Sequence, residues 1–238
     1  DRIGQKPLYY TQLSDGSIVF ASEIKALLAS GKVDTEAIDP VALVQFWTYG
    51  YATGEQTIYR DIKQLLPGHY AEWHKGKLSI REYWDAVFGM DESDQRPLSE
   101  QADELEALLS DAIRLRLIAD VPAGLFLSGG IDSCLIAALT SKSVGVDLNA
   151  FTIGFEDATY DESGAAAAVA AHLGVHNTIL PVTEDVQPHV AHIAAHFDEP
   201  FGDSSAIPTY FLCKLAREHV TVALTGDAGD ELFGGYNI

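Results

Sequence analysis

The residues Ser128-Gly129-Gly130-Ile131-Asp132-Ser133 bring hydroxyls, glycines and a carboxylate into one short stretch, and in this order they suit phosphate binding. The apolar Leu125-Phe126-Leu127 before them reads as a buried parallel strand. The run Cys134-Leu135-Ile136-Ala137-Ala138-Leu139-Thr140 after them reads as a helix. Where a strand passes through a glycine loop into a helix, unpaired backbone N–H groups and the positive end of the helix dipole face one point, which becomes an anion seat. Gly129 and Gly130 are expected to turn the chain tightly and to let a ligand approach the backbone. Ser128 and Ser133 add hydroxyl donors, and Asp132 places a carboxylate where a phosphate-bound Mg²⁺ requires one. The pattern is not a Walker loop, which has a longer interval between its glycines and a following Lys.

A second loop, Thr225-Gly226-Asp227-Ala228-Gly229-Asp230-Glu231-Leu232-Phe233-Gly234-Gly235-Tyr236, holds four glycines and three acids. It is too polar for a core and too specific for a linker. Read chemically, Asp230 joins Asp132 around one catalytic Mg²⁺, with phosphate oxygens and water completing the shell.

Both loops need elements that bring them to one place. Val220–Leu224 reads as a strand ending at Thr225, just as Leu125–Leu127 ends at Ser128. In a parallel sheet both loops then face the crevice beyond the strand carboxyl ends. Between them lie a strand over Leu148–Phe155, a helix opened by Asp161-Glu162-Ser163 and stopped at Gly174, and a weaker strand over His176–Val182. Helices are expected over about residues 183–195 and 204–218. This alternation predicts an α/β fold, a doubly wound parallel sheet with right-handed crossovers. Ahead of it, Ser99 is expected to cap a helix whose Leu105, Leu108, Leu109, Ala112 and Ile113 share one face.

Residues 1–84 read differently, as a small α+β domain. Pro7–Leu13 and Ile18–Ala21 form a hairpin by residue type, as do Gly68–Trp73 and Lys77–Ile80 around His74-Lys75-Gly76. Ser22 is expected to cap a helix through Leu28 that Gly31 ends. Asp39-Pro40 opens another helix, with Leu43, Phe46 and Trp47 along one face. Residues 85–98, polar and acidic around Gly89–Pro97, read as a linker. The expected organisation is a domain at 1–84, a linker at 85–98 and a second domain at 99–238.

Composition sets the outer limits. The 238 residues are 47% hydrophobic and 21% charged, ordinary for a globular chain. With 35 acids against 15 bases the net charge is −20, which provides no field for nucleic acid. No apolar run is long enough to span a membrane. Cys134 and Cys213 are too few for a disulfide framework and lack zinc spacing. Cys134 reads as a small core residue, and a reducing cytoplasmic setting is expected. His189, His192 and His196 share a helical face, which reads as the polar edge of an amphipathic helix rather than a metal site.

The Ser-Gly-Gly-x-Asp-Ser order resembles the pyrophosphate loop of the N-type ATP pyrophosphatases. With the other motifs, the chain resembles the glutamine-dependent asparagine synthetase family nearly end to end. Asp1–Tyr10, Phe20–Leu27 and Leu65-Leu66-Pro67-Gly68-His69 resemble its N-terminal-nucleophile glutaminase domain. Asp120-Val121-Pro122, Phe151–Phe155, Asp198-Glu199-Pro200-Phe201 and the acidic glycine loop resemble its synthetase domain. The resemblance implies a ligase that uses ATP and Mg²⁺ to form an acyl-adenylate on the aspartate side chain, from which ammonia drawn from glutamine displaces AMP. Ser128, Gly129, Gly130, Asp132 and Ser133 would hold the pyrophosphate portion, and Leu127 and Ile153 would meet adenine through backbone groups. Thr225 and Gly226 would border the nucleotide. Asp227 would lie near the reacting centre and, with Asp132 and Asp230, count as catalytic.

The same resemblance implies that the glutaminase nucleophile precedes this chain and that the synthetase domain continues beyond it, so both ends are expected to be truncated. The implied partners are ATP, aspartate, and glutamine or ammonia, with no nucleic acid or membrane, and a homodimer is left open. Thr225 stands where the family usually has Ser, Ala228 where it often has Gly, and Leu66 where Pro is common. Two alternatives stay open: a related amidotransferase or cyclase that adenylates another carboxylic acid, and a nucleotide-binding fragment without activity.

Overall fold

The computed structural model describes residues 1–34, 36–86, 94–155, 157, 159, 161–183 and 185–236. Residues 87–93 of the expected linker lie outside the described residues. The chain forms two units, Asp1–Met90 with Gln187–Ser204, and Asp91–Val186 with Ser205–Ile238.

The first unit is built on an antiparallel sheet of three short strands. β1 (Tyr9–Gln12) pairs with β2 (Ile18–Ala21) on one side and β3 (Lys63–Gln64) on the other. The turn between β1 and β2 closes through Asp15, whose carboxylate accepts from the Ser17 N–H and hydroxyl, and Gly16 supplies a φ of +81°. β4 (His69–His74) and β5 (Lys77–Glu82) form a separate hairpin, with Lys75 and Gly76 both at positive φ as a primed turn requires. α1 (Ile24–Ala29) places Ile24 and Leu27 against Ile62 to make the core.

α2 (Pro40–Tyr49) begins as its sequence implies. Asp39 Oδ1 accepts from the Val41 and Ala42 N–H groups, Pro40 sits in the first turn, and Gly50 closes the helix at φ +87°. The expected buried face does not form. Ala42 is the buried residue, and Trp47 is 77% exposed. Apolar residues ring this helix, so the residue pattern alone cannot choose a face.

The start of α1 departs from expectation. Ser22 is not its cap; the Lys25 N–H instead donates to Asp198 Oδ2 at 3.0 Å. Lys25 Nζ also reaches Asp198 Oδ1 (3.4 Å) and the His196 carbonyl (3.1 Å). Next to them, the Ile58 N–H donates to Glu199 Oε1, and the Gly202 N–H donates to the Gly50 carbonyl at 2.9 Å. The segment 187–204 is thereby pinned into the first unit by paired charges and backbone bonds. The single helix expected over 183–195 is a 3₁₀ turn, Gln187–His189, followed by α6 (Val190–Ala194). Pro188 accounts for the break, since it lacks an N–H and disfavours the α conformation before it.

The second unit is the α/β layer. α3 (Leu98–Arg116) starts one residue before the expected cap, with Pro97 at the cap position and Glu100 in the first turn. Ser99 therefore lies inside the helix; the fixed φ of Pro97 makes the start instead. β6 (Ala123–Phe126) leads to α4 (Ile131–Ala138), which continues as a π turn to Val144. β7 (Asn149–Gly154), α5 (Ser163–Leu173), β8 (Asn177–Pro181), α7 (Ala206–Ala216), β9 (Val222–Leu224) and α8 (Gly229–Phe233) follow. The strands are parallel in the order β8-β7-β6-β9.

Side chains alternate across this sheet. Leu125, Leu127, Ala150 and Leu224 pack with Ile113, Ala137, Ala166 and Ala170 from α3, α4 and α5. Phe126, Phe151 and Leu180 pack with Ala216 and Val220 around α7. Two cores, one fed by each set of helices, make the sheet doubly wound as expected. Each large apolar side chain buried here, Phe151 among them, contributes about 1.5–3 kcal/mol. Among the described residues, no helix is long and apolar enough to cross a membrane.

Two predictions follow from the pinned segment. Asp198→Ala removes the acceptor at the start of α1 and should cost about 1 kcal/mol, the usual loss for a helix cap, read as a lower urea midpoint. Burial raises the Glu199 pKa above its ordinary value of 4.5, against the lowering effect of the Ile58 N–H, and the Asp198 charge adds to the rise. Burial wins, so Glu199 is stabilising when protonated, fully so below its unfolded pKa. That contribution is lost as pH rises from about 4.5 through the raised folded value. Glu199→Gln keeps an acceptor for Ile58 without the titration, and its thermal midpoint should fall less than that of the unmodified chain over this window.

Candidate functional site

β6 stands between β7 and β9, and the crossovers diverge from it. The chain steps outward through α4 and α5 to β7 and β8, then returns through α7 on the opposite face to β9. The loops leaving β6 and β9 are therefore neighbours at a switch point, where open α/β sheets bind ligands.

The first loop is held by its own hydroxyls. The Ser128 N–H donates to Ser133 Oγ at 3.1 Å, the two serine hydroxyls lie 2.8 Å apart, and the Gly130 N–H donates to Ser128 Oγ at 3.1 Å. Ser133 is buried and also bonds the Gly130 carbonyl at 3.2 Å. The expected pair of hydroxyl donors thus forms one internal lock, with the Ser128 hydroxyl at the loop edge. The Gly129 N–H donates to Glu162 Oε2 at 3.1 Å.

The glycines work differently from the expectation. Neither Gly129 nor Gly130 has positive φ; Gly130 is extended at φ −75°, ψ 154°. What Gly129 provides is space, because a Cβ there would lie 2.9 Å from the Ala165 Cβ on α5. Cys134 packs at the margin of the core with its Sγ 3.6 Å from the Ser128 carbonyl, in keeping with its structural reading.

The second loop lies directly on the first turn of α4. A Cβ on Gly226 would be 2.7 Å from the Ser133 nitrogen and 3.0 Å from the Asp132 Cβ. A Cβ on Gly229 would collide with the Asp132 carboxylate carbon. The Asp132 carboxylate thus lies against the residue preceding Asp230. The Asp230 carboxylate folds toward Gly235, whose N–H also meets the Asp230 carbonyl at 3.2 Å. The Asp227 N–H donates to Thr225 Oγ1 at 3.3 Å, so Thr225 uses its hydroxyl to shape the loop. Glu231 is held below the usual carboxylate range by the Tyr236 hydroxyl, 2.7 Å away. Across from them, burial and then the Asp227 charge push the Cys213 thiol pKa up.

Leu127 directly follows β6, and Ile153 is the penultimate residue of β7. The Leu127 N–H donates to the Phe151 carbonyl at 2.9 Å, and its carbonyl accepts from the Thr152 hydroxyl at 2.7 Å, leaving one lone pair on that oxygen. Ile153 is half-buried opposite Leu180. Thr152 and Glu162 escaped the residue-by-residue reading. Thr152 was hidden in a strand, and Glu162 looked like a simple helix start. Each reaches the loop through a partner distant in the chain, which local pattern does not report.

Among the described residues, no group of three His, Cys, Asp or Glu side chains could hold a metal unaided. Asp132 and Asp230 supply one carboxylate from each loop, and a hard cation there would need further oxygens, such as those of a bound phosphate, to complete its shell. His192 and His196 meet edge to face at 4.7 Å; His192 lies within the short α6, while His189 precedes it and His196 follows it.

Comparison with known proteins finds two families along the chain. The family described as Asparagine synthase matches residues 104–238, and that described as Glutamine amidotransferase domain matches residues 1–84. Asparagine synthetase [glutamine-hydrolyzing] 1 of Bacillus subtilis (strain 168) is 37% identical over all of this chain and 37% of its own length. The putative asparagine synthetase [glutamine-hydrolyzing] 2 of Methanocaldococcus jannaschii is 34% identical over 99% of this chain and 46% of its own. Amidase chyE of Penicillium rubens is 31% identical, over all of this chain and 37% of its own. The chain therefore spans less than half the length of these relatives.

Ala228, which precedes α8, is held at φ +76°. A Cβ in that conformation costs about 1–2 kcal/mol. Ala228→Gly should accordingly stabilise the chain by about 1 kcal/mol after the added freedom of the unfolded glycine is counted, read as a higher denaturation midpoint.

Proposed function

The chain belongs to the asparagine synthase family, and from that premise we propose that it carries the nucleotide site of an ATP-dependent amidotransferase that makes asparagine. In this reading the whole enzyme joins the aspartate side-chain carboxylate to AMP, and ammonia released from glutamine displaces the AMP. The observation that carries it is the contact of the two loops, with Gly226 and Gly229 against Ser133 and Asp132 at the switch point of the sheet.

The roles follow from position. Ser128, Gly129, Gly130 and Ser133 surround the seat for the pyrophosphate portion, and the dipole of α4 favours negative charge there. Leu127 and Ile153 offer strand-end backbone to the base, and Thr225 and Gly226 border the nucleotide. Asp132 and Asp230 would hold Mg²⁺, which when bound offsets the charge of the departing pyrophosphate. Asp227, tethered by its N–H to Thr225, would face the reacting carboxylate. Residues 1–84 would belong to the domain that supplies ammonia. The two free cysteines suit a reducing, cytoplasmic setting. A homodimer belongs to the same proposal and is decided by the mass in solution.

A second reading keeps the same site but has it adenylate a different carboxylic acid. Measuring AMP released by the full-length enzyme with aspartate against other acids separates the two.

The first test is titration calorimetry of this chain with Mg²⁺-ATP. Binding is expected, and Asp132→Asn should weaken it at least tenfold, since charge-assisted contacts to the metal and phosphate are lost. Equal binding by the variant would remove the metal role of Asp132, and absence of binding by both would remove the nucleotide reading of this chain.

A further inference from the structure

Three N–H groups of the β6–α4 loop have partners within the protein. Those of Ser128 and Gly130 are met by the loop's own hydroxyls. That of Gly129 is met by a charged group from elsewhere, the Glu162 carboxylate, 33 residues along the chain. A carboxylate oxygen on a loop N–H has the charge and acceptor character of a phosphate oxygen, so it stands in for the anion this loop is shaped to hold.

The placement of Glu162 is built rather than incidental. It is the residue before α5, and its carbonyl accepts from the Ala166 N–H at 3.0 Å. The preceding Asp161 fixes the backbone, accepting from the Ser163 hydroxyl (2.8 Å), the Ser163 N–H (3.2 Å) and the Phe155 N–H (3.3 Å). The bare Gly129 lets the first turn of α5 approach closely enough for the contact. The backbone of Glu162 is thus anchored, while its side chain is exposed and can swing into water.

We propose that Glu162 is a specificity-determining residue that holds the Gly129 N–H until a polyphosphate displaces it, and so selects the metal-bound form of that polyphosphate. The inference rests on the nucleotide reading of this loop. A metal-free polyphosphate must break the carboxylate's bond and then lie beside the displaced negative charge. A metal-bound one carries compensating charge and meets less repulsion. Affinity in the presence of Glu162 is reduced by the fraction of loops in which its seat is taken.

The test is calorimetry of inorganic pyrophosphate, with and without Mg²⁺, on the chain and on Glu162→Gln, which keeps the shape and removes the charge. The variant should bind metal-free pyrophosphate about tenfold more tightly, while binding with Mg²⁺ changes by less, so that the preference for the metal-bound form shrinks. Equal metal-free affinities would overturn the proposal. So would a variant that loses only the Mg²⁺-dependent binding, since Glu162 would then be a metal ligand. If neither protein binds pyrophosphate in either form, the nucleotide reading falls and this inference falls with it. As a readout independent of the variant, the Gly129 amide resonance of the unmodified chain should shift when pyrophosphate is added; a resonance that stays while pyrophosphate binds would also overturn it.

Discussion

The approach of two backbones at the centre of the parallel sheet governs everything around the site. Gly226 and Gly229 lie so close to the first turn of α4 that a methyl group at either would collide with Asp132 or Ser133. That closeness follows from the strand order, because β9 returns to lie beside β6 after β7 and β8 have been laid down on the other side. Two loops distant in sequence thereby come into contact at the carboxyl ends of neighbouring strands. The same crowding explains why the second loop tolerates an alanine in a left-handed conformation at position 228. The loop has little freedom to relax once it is wedged against α4, so the local strain is retained.

The first unit relies on a different kind of contact. Its sheet strands are short, and its core is a small cluster around Ile24, Leu27 and Ile62. Charges and backbone bonds supplement that core where residues 196–202 cross it. Asp198 serves both the start of α1 and the Lys25 ammonium, while Glu199 is taken out of water to meet one N–H. The two neighbouring acids thus have opposite electrostatic situations. Asp198 is paired with a cation and a helix start, whereas Glu199 has a single donor and a neighbouring negative charge, so its ionised form is disfavoured.

What the sequence made legible were features with local causes. Strand-helix alternation, the glycine loop between β6 and α4, the Asp39-Pro40 opening of α2 and the glycine stop at Gly174 each depend on a few adjacent residues, and each is present in the structure. The misreadings share another cause. Ser22 and Ser99 look like caps, yet α1 takes its acceptor from Asp198, and α3 begins on the fixed backbone of Pro97. Gly129 looks like a turn residue but is required by a neighbour on α5. Glu162 looks like a helix start, and it is one, but its side chain is committed to a loop far away in the chain. A one-dimensional pattern reports propensity and period; it carries no information on which distant group arrives to satisfy a given N–H.

The passage of residues 187–204 into the first unit also has a temporal side. During synthesis the first 90 residues emerge long before Asp198 and Glu199 exist, so α1 must wait without its acceptor and Ile58 without its partner. At about 5–20 residues per second the delay is on the order of ten seconds, far longer than a helix or hairpin needs to form. Over that interval the emerging unit is an incomplete fold, and the strands of the α/β layer are made while it waits. A single cut between residues 90 and 91 would likewise fail to separate two self-sufficient pieces, because the later segment returns to finish the earlier unit. The first unit is therefore completed by a segment made after most of the second.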